Sequence, residues 1–166
     1  MKRCAWCNLN NPKYIEYHDH EWGKLNTDEE YLFEMLILES FQAGLSWQCI
    51  LNKREAFKEA YEDFDIDKVI EFDEEKIEQL RNNPNIIRNK LKIKASISNA
   101  KIFKSIQEEY QTFYDYLCTF THGQIIYETE KTTSALSDSI SNDLKKRGMK
   151  FVGSTIIYDY IRIVRV

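Results

Sequence analysis

Residues 74–104 read EEKIEQLRNNPNIIRNKLKIKASISNAKIFK, and this stretch sets the organisation of the middle of the chain. Asp73 stands before it as a helix N-cap, which predicts a short helix. Pro84 ends that helix because its ring clashes with the preceding turn and it has no amide hydrogen. Apolar residues then recur at helical spacing over residues 91–106. The stretch is therefore predicted to form two helices joined by a tight turn.

Residues 81–104 of this stretch contain seven basic residues and no Asp or Glu, although the whole chain is acidic. The 23 Lys and Arg residues face 27 Asp and Glu residues, and the net charge of -4 gives no bulk attraction to nucleic acid. Lysines and helix N–H groups can together hold a phosphate, as in a helix-hairpin-helix. A solvated basic helix face is the alternative. The basic residues are Arg81, Arg88, Lys90, Lys92, Lys94, Lys101 and Lys104.

A second basic cluster surrounds Gly148 at the end of a predicted helix. A glycine lets a phosphate approach the backbone closely. Cations also stabilise helix C-termini, so ordinary capping is the alternative. The cluster consists of Lys145, Lys146, Arg147 and Lys150.

The rest of the sequence indicates an all-α fold in a single domain, residues 1–166. Only 5 Gly and 2 Pro interrupt the chain, and its 166 residues suffice for one core. A capping box at Thr27–Glu30 predicts the start of one helix, and Ser46 predicts the start of another that continues to Tyr61. The segment before residue 23 is expected to be a short coil.

Four scattered cysteines and the lack of a signal sequence indicate a reducing compartment. No apolar run approaches the length of a membrane span. We therefore expect a soluble, cytoplasmic protein without a membrane partner, and a monomer.

Glu39 is a carboxylate near the end of an otherwise apolar predicted helix. Burying such a group is costly unless it is paired, so Glu39 is a candidate site residue. Gln42, Ser46 and Trp47 follow around a turn at Gly44, where a planar ligand can stack. The alternative is that Glu39 faces solvent as the helix frays.

Aromatic and titratable residues also crowd the N-terminal segment. Trp6, Tyr14, Tyr17 and Trp22 are candidates for the wall of a pocket, or for a hydrophobic strap over the helices. Cys4, Cys7, His18 and His20 are all residue types that bind zinc, but their spacing matches no standard finger.

Motifs along most of the chain resemble the DNA-3-methyladenine glycosylase I family of the helix-hairpin-helix superfamily. The matching motifs are Arg3-Cys4-x-Trp6, Tyr17-His18-Asp19-x-Glu21-Trp22-Gly23, Phe33-Glu34-Met35, Leu38-Glu39-x-x-Gln42-Ala43-Gly44-Leu45-Ser46-Trp47, Ile87-Arg88, Asn99-Ala100 and Lys145-Lys146-Arg147-Gly148-x-Lys150-Phe151-Val152-Gly153. The resemblance places the helix-hairpin-helix element within about residues 74–104.

This resemblance implies excision of 3-methyladenine from alkylated double-stranded DNA. It assigns Glu39 and Tyr17 to catalysis and base contact, and the rings of Trp47 and Trp6 to enclosing the base. The implied DNA contacts are Leu45 as a wedge, with Arg88, Lys90, Lys92, Lys94 and Lys146.

The resemblance leaves two points open. Wider relatives use an aspartate after the hairpin, whereas this chain has Asn99 and Ala100, so the general base is unassigned. No cofactor is required for the chemistry. The family's structural zinc uses Cys4, His18 and a later His and Cys, but no His or Cys follows His122, so the ligand set is incomplete. A noncatalytic DNA-binding module that lacks this half-site is the alternative function.

Overall fold

Ten α-helices and one 3-10 turn form the regular structure of the described residues, 2–124 and 131–165, in this computed structural model. These residues contain no strand, so the all-α prediction is confirmed. None of the described helices is long and apolar enough to cross a membrane. The helices are α1 (Pro12–His20), α2 (Glu29–Gln42), α3 (Trp47–Asn52), α4 (Arg54–Ala60), α5 (Ile66–Val69), α6 (Glu74–Arg81), α7 (Lys90–Tyr110), α8 (Phe113–Thr121), α9 (Ala135–Lys146) and α10 (Ser154–Val164), with the 3-10 turn at Glu62–Phe64.

Helix α2 is the central helix of the core. Its residues from Leu32 to Phe41 are all buried, as expected for a helix that is apolar on every side. Helices α3, α7, α8 and α10 pack around it. The last turn of α2, which carries Glu39, is therefore enclosed by other helices.

Three local predictions are wrong. The N-terminal segment forms helix α1, because Asn11 caps it and a proline suits its first turn. Helix α2 is capped by Asp28 and not by Thr27, since the Asp28 carboxylate accepts a hydrogen bond from the Tyr31 N–H at 2.9 Å. The helix that starts after Ser46 breaks at Lys53, which divides it into α3 and α4.

Helices α6 and α7 are joined by a tight turn. The Asn83 side chain accepts a hydrogen bond from the Asn85 N–H at 3.0 Å, which closes the turn. Asn89 caps α7 by accepting from the Lys92 N–H at 3.1 Å. Ile86 is buried and fixes the turn to the core. This is a helix-hairpin-helix.

Helix α10 packs against α2 and α9, and this packing brings the end of the chain to the core. The Tyr160 hydroxyl donates to the Leu32 carbonyl at 3.0 Å. The buried Asn99 amide donates to the Lys150 carbonyl at 2.8 Å and accepts from the Lys150 N–H at 2.9 Å. Asn99 lies on α7, after the hairpin turn. Its two hydrogen bonds therefore hold α7 to the loop before α10.

A buried ion network joins the end of α1 to α2 and α4. Arg54 donates to Glu34 at 2.7 Å and to Glu21 at 2.7 and 2.8 Å. The Tyr31 hydroxyl also donates to Glu21, at 3.2 Å. The network holds the segment that follows α1 against the core.

Candidate active site

A cavity of about 180 Å³ lies where the last turn of α2 meets α1, α10 and the start of α3. A cavity of roughly 150 Å³ already holds a benzene ring, so a planar heterocycle fits here. All three tryptophans of the chain contribute to its wall. The lining residues are Trp6, Tyr14, Tyr17, Trp22, Glu39, Gln42, Trp47, Asp159, Arg162 and Ile163.

Glu39 is the buried acidic group of this cavity. The residue is 1% exposed, so the alternative in which it faces solvent is wrong. Its Oε2 atom has no hydrogen-bond partner among the described residues. Burial raises the pKa of Glu39 well above its usual value, and the charge of Asp159 raises it further. A buried carboxyl group with a free oxygen is suited to bind a ligand that supplies the missing partner.

Aromatic rings line the same cavity as this carboxyl group. The rings of Tyr17 and Trp47 lie 5.4 Å apart, and Trp6 lies 5.1 Å from Trp22 and 5.6 Å from Tyr14. Burial, and then the charge of Glu39, raises the pKa of Tyr17 well above its usual value, so its hydroxyl stays neutral. The structure thus brings Glu39, Tyr17, Trp47 and Trp6 together around one cavity.

Two further polar groups of the wall lack partners. Gln42 Oε1 and Trp47 Nε1 are buried without a hydrogen bond among the described residues. Together with Glu39 they give the wall both donors and acceptors. A planar ligand with polar edges is therefore a better match for this cavity than a purely apolar one.

Sequence reasoning missed the contribution of α10, namely Asp159 and Arg162. These residues lie far along the chain from Glu39, and no motif connected them to it. The sequence signal that could have indicated Asp159 is the one used for Glu39, a single carboxylate in an apolar segment. Asp159 stands between Tyr158 and Tyr160 in such a segment.

The turn between α2 and α3 carries the predicted wedge. Gly44 has a φ of 79°, which suits glycine, and Leu45 is 42% exposed. The Leu45 N–H donates to the Gln42 carbonyl at 2.6 Å. The Leu45 side chain therefore projects from a tight turn next to the cavity.

Lys92 does not have the exposed position that a DNA-contacting lysine requires, and this assignment is corrected. Its ammonium group donates to the Phe41 carbonyl at 2.8 Å and to the Ala43 carbonyl at 2.5 Å. The residue is buried, and this desolvation lowers its pKa. Lys92 is a structural cation that holds the C-terminus of α2, and thus the Leu45 turn, against α7.

The other predicted DNA contacts are exposed, but acidic residues of α6 lie close to two of them. Lys90 Nζ lies 3.9 Å from Glu78, and Lys94 Nζ lies 3.7 Å from Glu74. Arg88 and Lys146 are also exposed. The stretch without acidic residues in the sequence is therefore partly neutralised in space.

Arg147, a member of the second basic cluster, is partly buried and paired with acidic residues. It forms ion pairs with Glu109 at 2.7 Å and with Asp143 at 2.8 Å. Its guanidinium group also lies 5.4 Å from the Tyr116 ring. The exposed cations of this cluster are Lys145, Lys146 and Lys150.

The described residues do not fit the structural zinc that the resemblance implies. Cys4 donates its N–H to His18 Nε2 at 3.2 Å, so the His18 proton lies on Nδ1, which donates to Asp19 at 2.8 Å. Both ring nitrogens of His18 are therefore engaged. His20 pairs with Glu16, and the part of the chain that is described contains no group of three potential ligands.

An all-helical fold with a helix-hairpin-helix, and an exposed leucine turn beside an aromatic pocket around a buried carboxyl group, defines the helix-hairpin-helix glycosylase class. The sequence pattern of the methyladenine glycosylase family matches residues 6–164. The chain belongs to this family.

Known relatives are similar over nearly their whole length. The chain is 42% identical to DNA-3-methyladenine glycosylase 1 of Escherichia coli K12, over 98% of this chain and 89% of that protein. It is 36% identical to DNA-3-methyladenine glycosylase of Haemophilus influenzae, over 96% and 89%. It superimposes with a TM-score of 0.91 on 3-methyladenine DNA glycosylase I of Staphylococcus aureus, at 34% identity over 99% and 90% of the two chains.

Proposed function

We propose that this protein is a DNA glycosylase that hydrolyses the N-glycosidic bond of 3-methyladenine in alkylated double-stranded DNA. The observation that carries the proposal is the Glu39 carboxyl group, buried without a partner in an aromatic cavity next to the Leu45 turn. The solved S. aureus relative is described as recognising 3-methyladenine, and the fold is the same.

The target base reaches the cavity by rotating out of the duplex, because its glycosidic bond is hidden in the base stack. Leu45 fills the space that the base leaves. The rings of Tyr17 and Trp47 then contact the base, and aromatic faces attract its positive charge. Glu39 ionises when the cationic base arrives, since an opposite charge nearby favours the carboxylate.

The substrate supplies much of the reactivity. Methylation at N3 gives the base a positive charge within DNA, so the N9–C1′ bond breaks with its electron pair moving to N9, and a neutral base leaves. Water adds to C1′ and releases its proton to solvent. Glu39 binds the cationic base more strongly than neutral adenine, which makes the selection one of differential binding.

Exposed cations outside the cavity hold the DNA. The DNA backbone contacts Arg88, Lys90, Lys94 and Lys146, which are exposed, whereas Lys92 supports the Leu45 turn from inside. The chemistry needs no cofactor. The protein works as a monomer in the cytoplasm.

The test is chromatographic detection of free methylated bases released from methylated duplex DNA by the purified protein. We expect release of 3-methyladenine and no release of adenine from undamaged DNA. A folded protein that binds DNA in a salt-dependent manner but releases no base would instead be the noncatalytic module.

Two neighbouring lysines of α7 are expected to respond differently to replacement by methionine. Lys92→Met should lower the free energy of unfolding by about 1–3 kcal/mol, because the Phe41 and Ala43 carbonyls lose a charged donor. Lys90→Met should leave stability within about 0.5 kcal/mol. It should also reduce the slope of log affinity against log salt by about 1.

Urea unfolding and DNA binding at several salt concentrations measure these effects. Equal losses of stability in the two variants would contradict the structural role of Lys92. An unchanged salt slope for Lys90→Met would remove Lys90 from the DNA-binding surface.

A further inference from the structure

Helix α10 places a second carboxyl group in the wall of the cavity. Asp159 lines the cavity together with Arg162 and Ile163, which follow three and four residues later on the same helix. Glu39 comes from a different helix, α2, against which α10 packs. Two acidic side chains from separate helices therefore share one small space.

Neither carboxyl group has an ion-pair partner among the described residues. Among the described residues, Asp159 has no hydrogen bond or ion pair, and Glu39 Oε2 has no hydrogen bond. The nearest cation in the wall, Arg162, lies over the ring of Trp22 at 5.5 Å and over that of Tyr158 at 5.4 Å. Arg162 therefore contacts aromatic rings and forms no ion pair with Asp159, although its charge still favours the ionised form of that carboxyl group.

Burial acts on both carboxyl groups, but only Asp159 has an opposing positive charge nearby. The titratable or charged groups facing Asp159 are Glu39 of α2, Arg162 of α10, and Tyr14 and Tyr17 of α1. Burial raises the pKa of Asp159, which the charge of Arg162 opposes, whereas burial and Asp159 together raise the pKa of Glu39 well above its usual value. Burial and the neighbouring Asp159 therefore favour the neutral form of Glu39, whereas the charge of Arg162 favours the carboxylate form of Asp159.

We propose that Asp159 is a specificity-determining carboxylate, which supplies standing negative charge to the cavity and so selects a positively charged purine over a neutral one. The identity of that purine as 3-methyladenine rests on the proposed function. Asp159 attracts the cation while Glu39 is still protonated, and Glu39 ionises once the base is seated. A single buried carboxyl group of raised pKa has no charge to offer at that first stage.

The experiment compares two free bases that differ in charge. The 3,9-dimethyladenine cation carries the positive charge of the damaged nucleotide, whereas 3-methyladenine at mildly alkaline pH is neutral. Binding is followed by tryptophan fluorescence, because all three tryptophans line the cavity. Asp159→Asn removes the charge and keeps the shape, and Asp159→Glu keeps the charge. Asp67→Asn, at an exposed ion pair with Lys104, removes one charge outside the cavity.

We expect Asp159→Asn to weaken binding of the cation about tenfold, as one lost charge at short range predicts. Binding of the neutral base should change by less than about twofold. Asp159→Glu should restore most of the affinity for the cation, and Asp67→Asn should have no effect. Equal weakening for both bases, or no weakening for either, would overturn the proposal.

This binding assay does not depend on hydrolysis. Charge-selective binding that requires Asp159 in a protein that releases no 3-methyladenine would overturn the proposed function and leave this inference standing. Release of 3-methyladenine at the wild-type rate, with unchanged cation affinity in Asp159→Asn, would overturn only the role of Asp159.

Discussion

Replacing Glu39 with glutamine is expected to reduce the rate of 3-methyladenine release by about 100- to 1,000-fold, the usual effect of removing one preorganised electrostatic group. Glutamine has the same shape but no charge to offer the cationic base. The measurement is the single-turnover rate of base release from methylated duplex DNA. Glu71→Gln, an exposed residue away from the cavity, is the matched control and should keep the wild-type rate. A Glu39→Gln rate within tenfold of wild type would contradict the assignment.

The same variant is expected to be more stable than wild type at neutral pH. The folded-state pKa of Glu39 is raised above the unfolded value of about 4.5, so its favourable contribution is present below that value and is lost as pH rises towards the folded pKa. Glutamine has no proton to lose, so Glu39→Gln avoids this loss. Urea unfolding at acidic and neutral pH checks the sign, and a stabilisation that appears only at acidic pH would contradict it.

Replacing Arg54 with methionine is expected to lower the free energy of unfolding by about 3–5 kcal/mol, as found when one partner of a buried ion pair is removed. The Glu34 side chain is only 7% exposed, and Arg54 supplies its charged partner. Without Arg54, the Glu34 and Glu21 carboxylates are left close together and uncompensated. Urea unfolding measures the loss directly.

Arg81→Met is the matched control, because Arg81 pairs with Glu78 on the surface, where the two side chains are 41% and 50% exposed. Such a pair contributes about 1 kcal/mol or less. Adding Glu34→Leu to Arg54→Met should recover much of the loss, since the buried charge is then gone. Equal losses in Arg54→Met and Arg81→Met would show that the network has no special role.

Most helix starts were predictable because their signals act over a few residues. Ser46 and Asp73 each cap a helix as predicted, by accepting a hydrogen bond from the backbone N–H three residues later. Helix α1 was not predicted, although Asn11 caps it, because its aromatic residues were interpreted as the wall of a pocket. The residues of the wall were nevertheless found in sequence, since motifs carry them.

The burial of individual charged residues was predicted less well than the helix starts. Lys90, Lys92 and Lys94 are alike in sequence, yet only Lys92 turns inward, because its position on α7 faces the C-terminus of α2. The sequence also left open whether Glu39 is buried or faces solvent, because that depends on the helices packed around it. The environment of a single polar residue depends on which helices pack against it, and composition and periodicity do not specify that.

The sequence by itself determined the family, the helical class, the position of the hairpin and four residues of the cavity wall. These follow from local capping, from apolar periodicity and from motifs. Only the tertiary structure decided that Glu39 is buried without a partner, that Lys92 is structural, and that Asp159 lies in the same cavity. The physical reason is that desolvation and electrostatic coupling depend on distances between residues far apart in the chain, and the packing of α10 on α2 sets those distances.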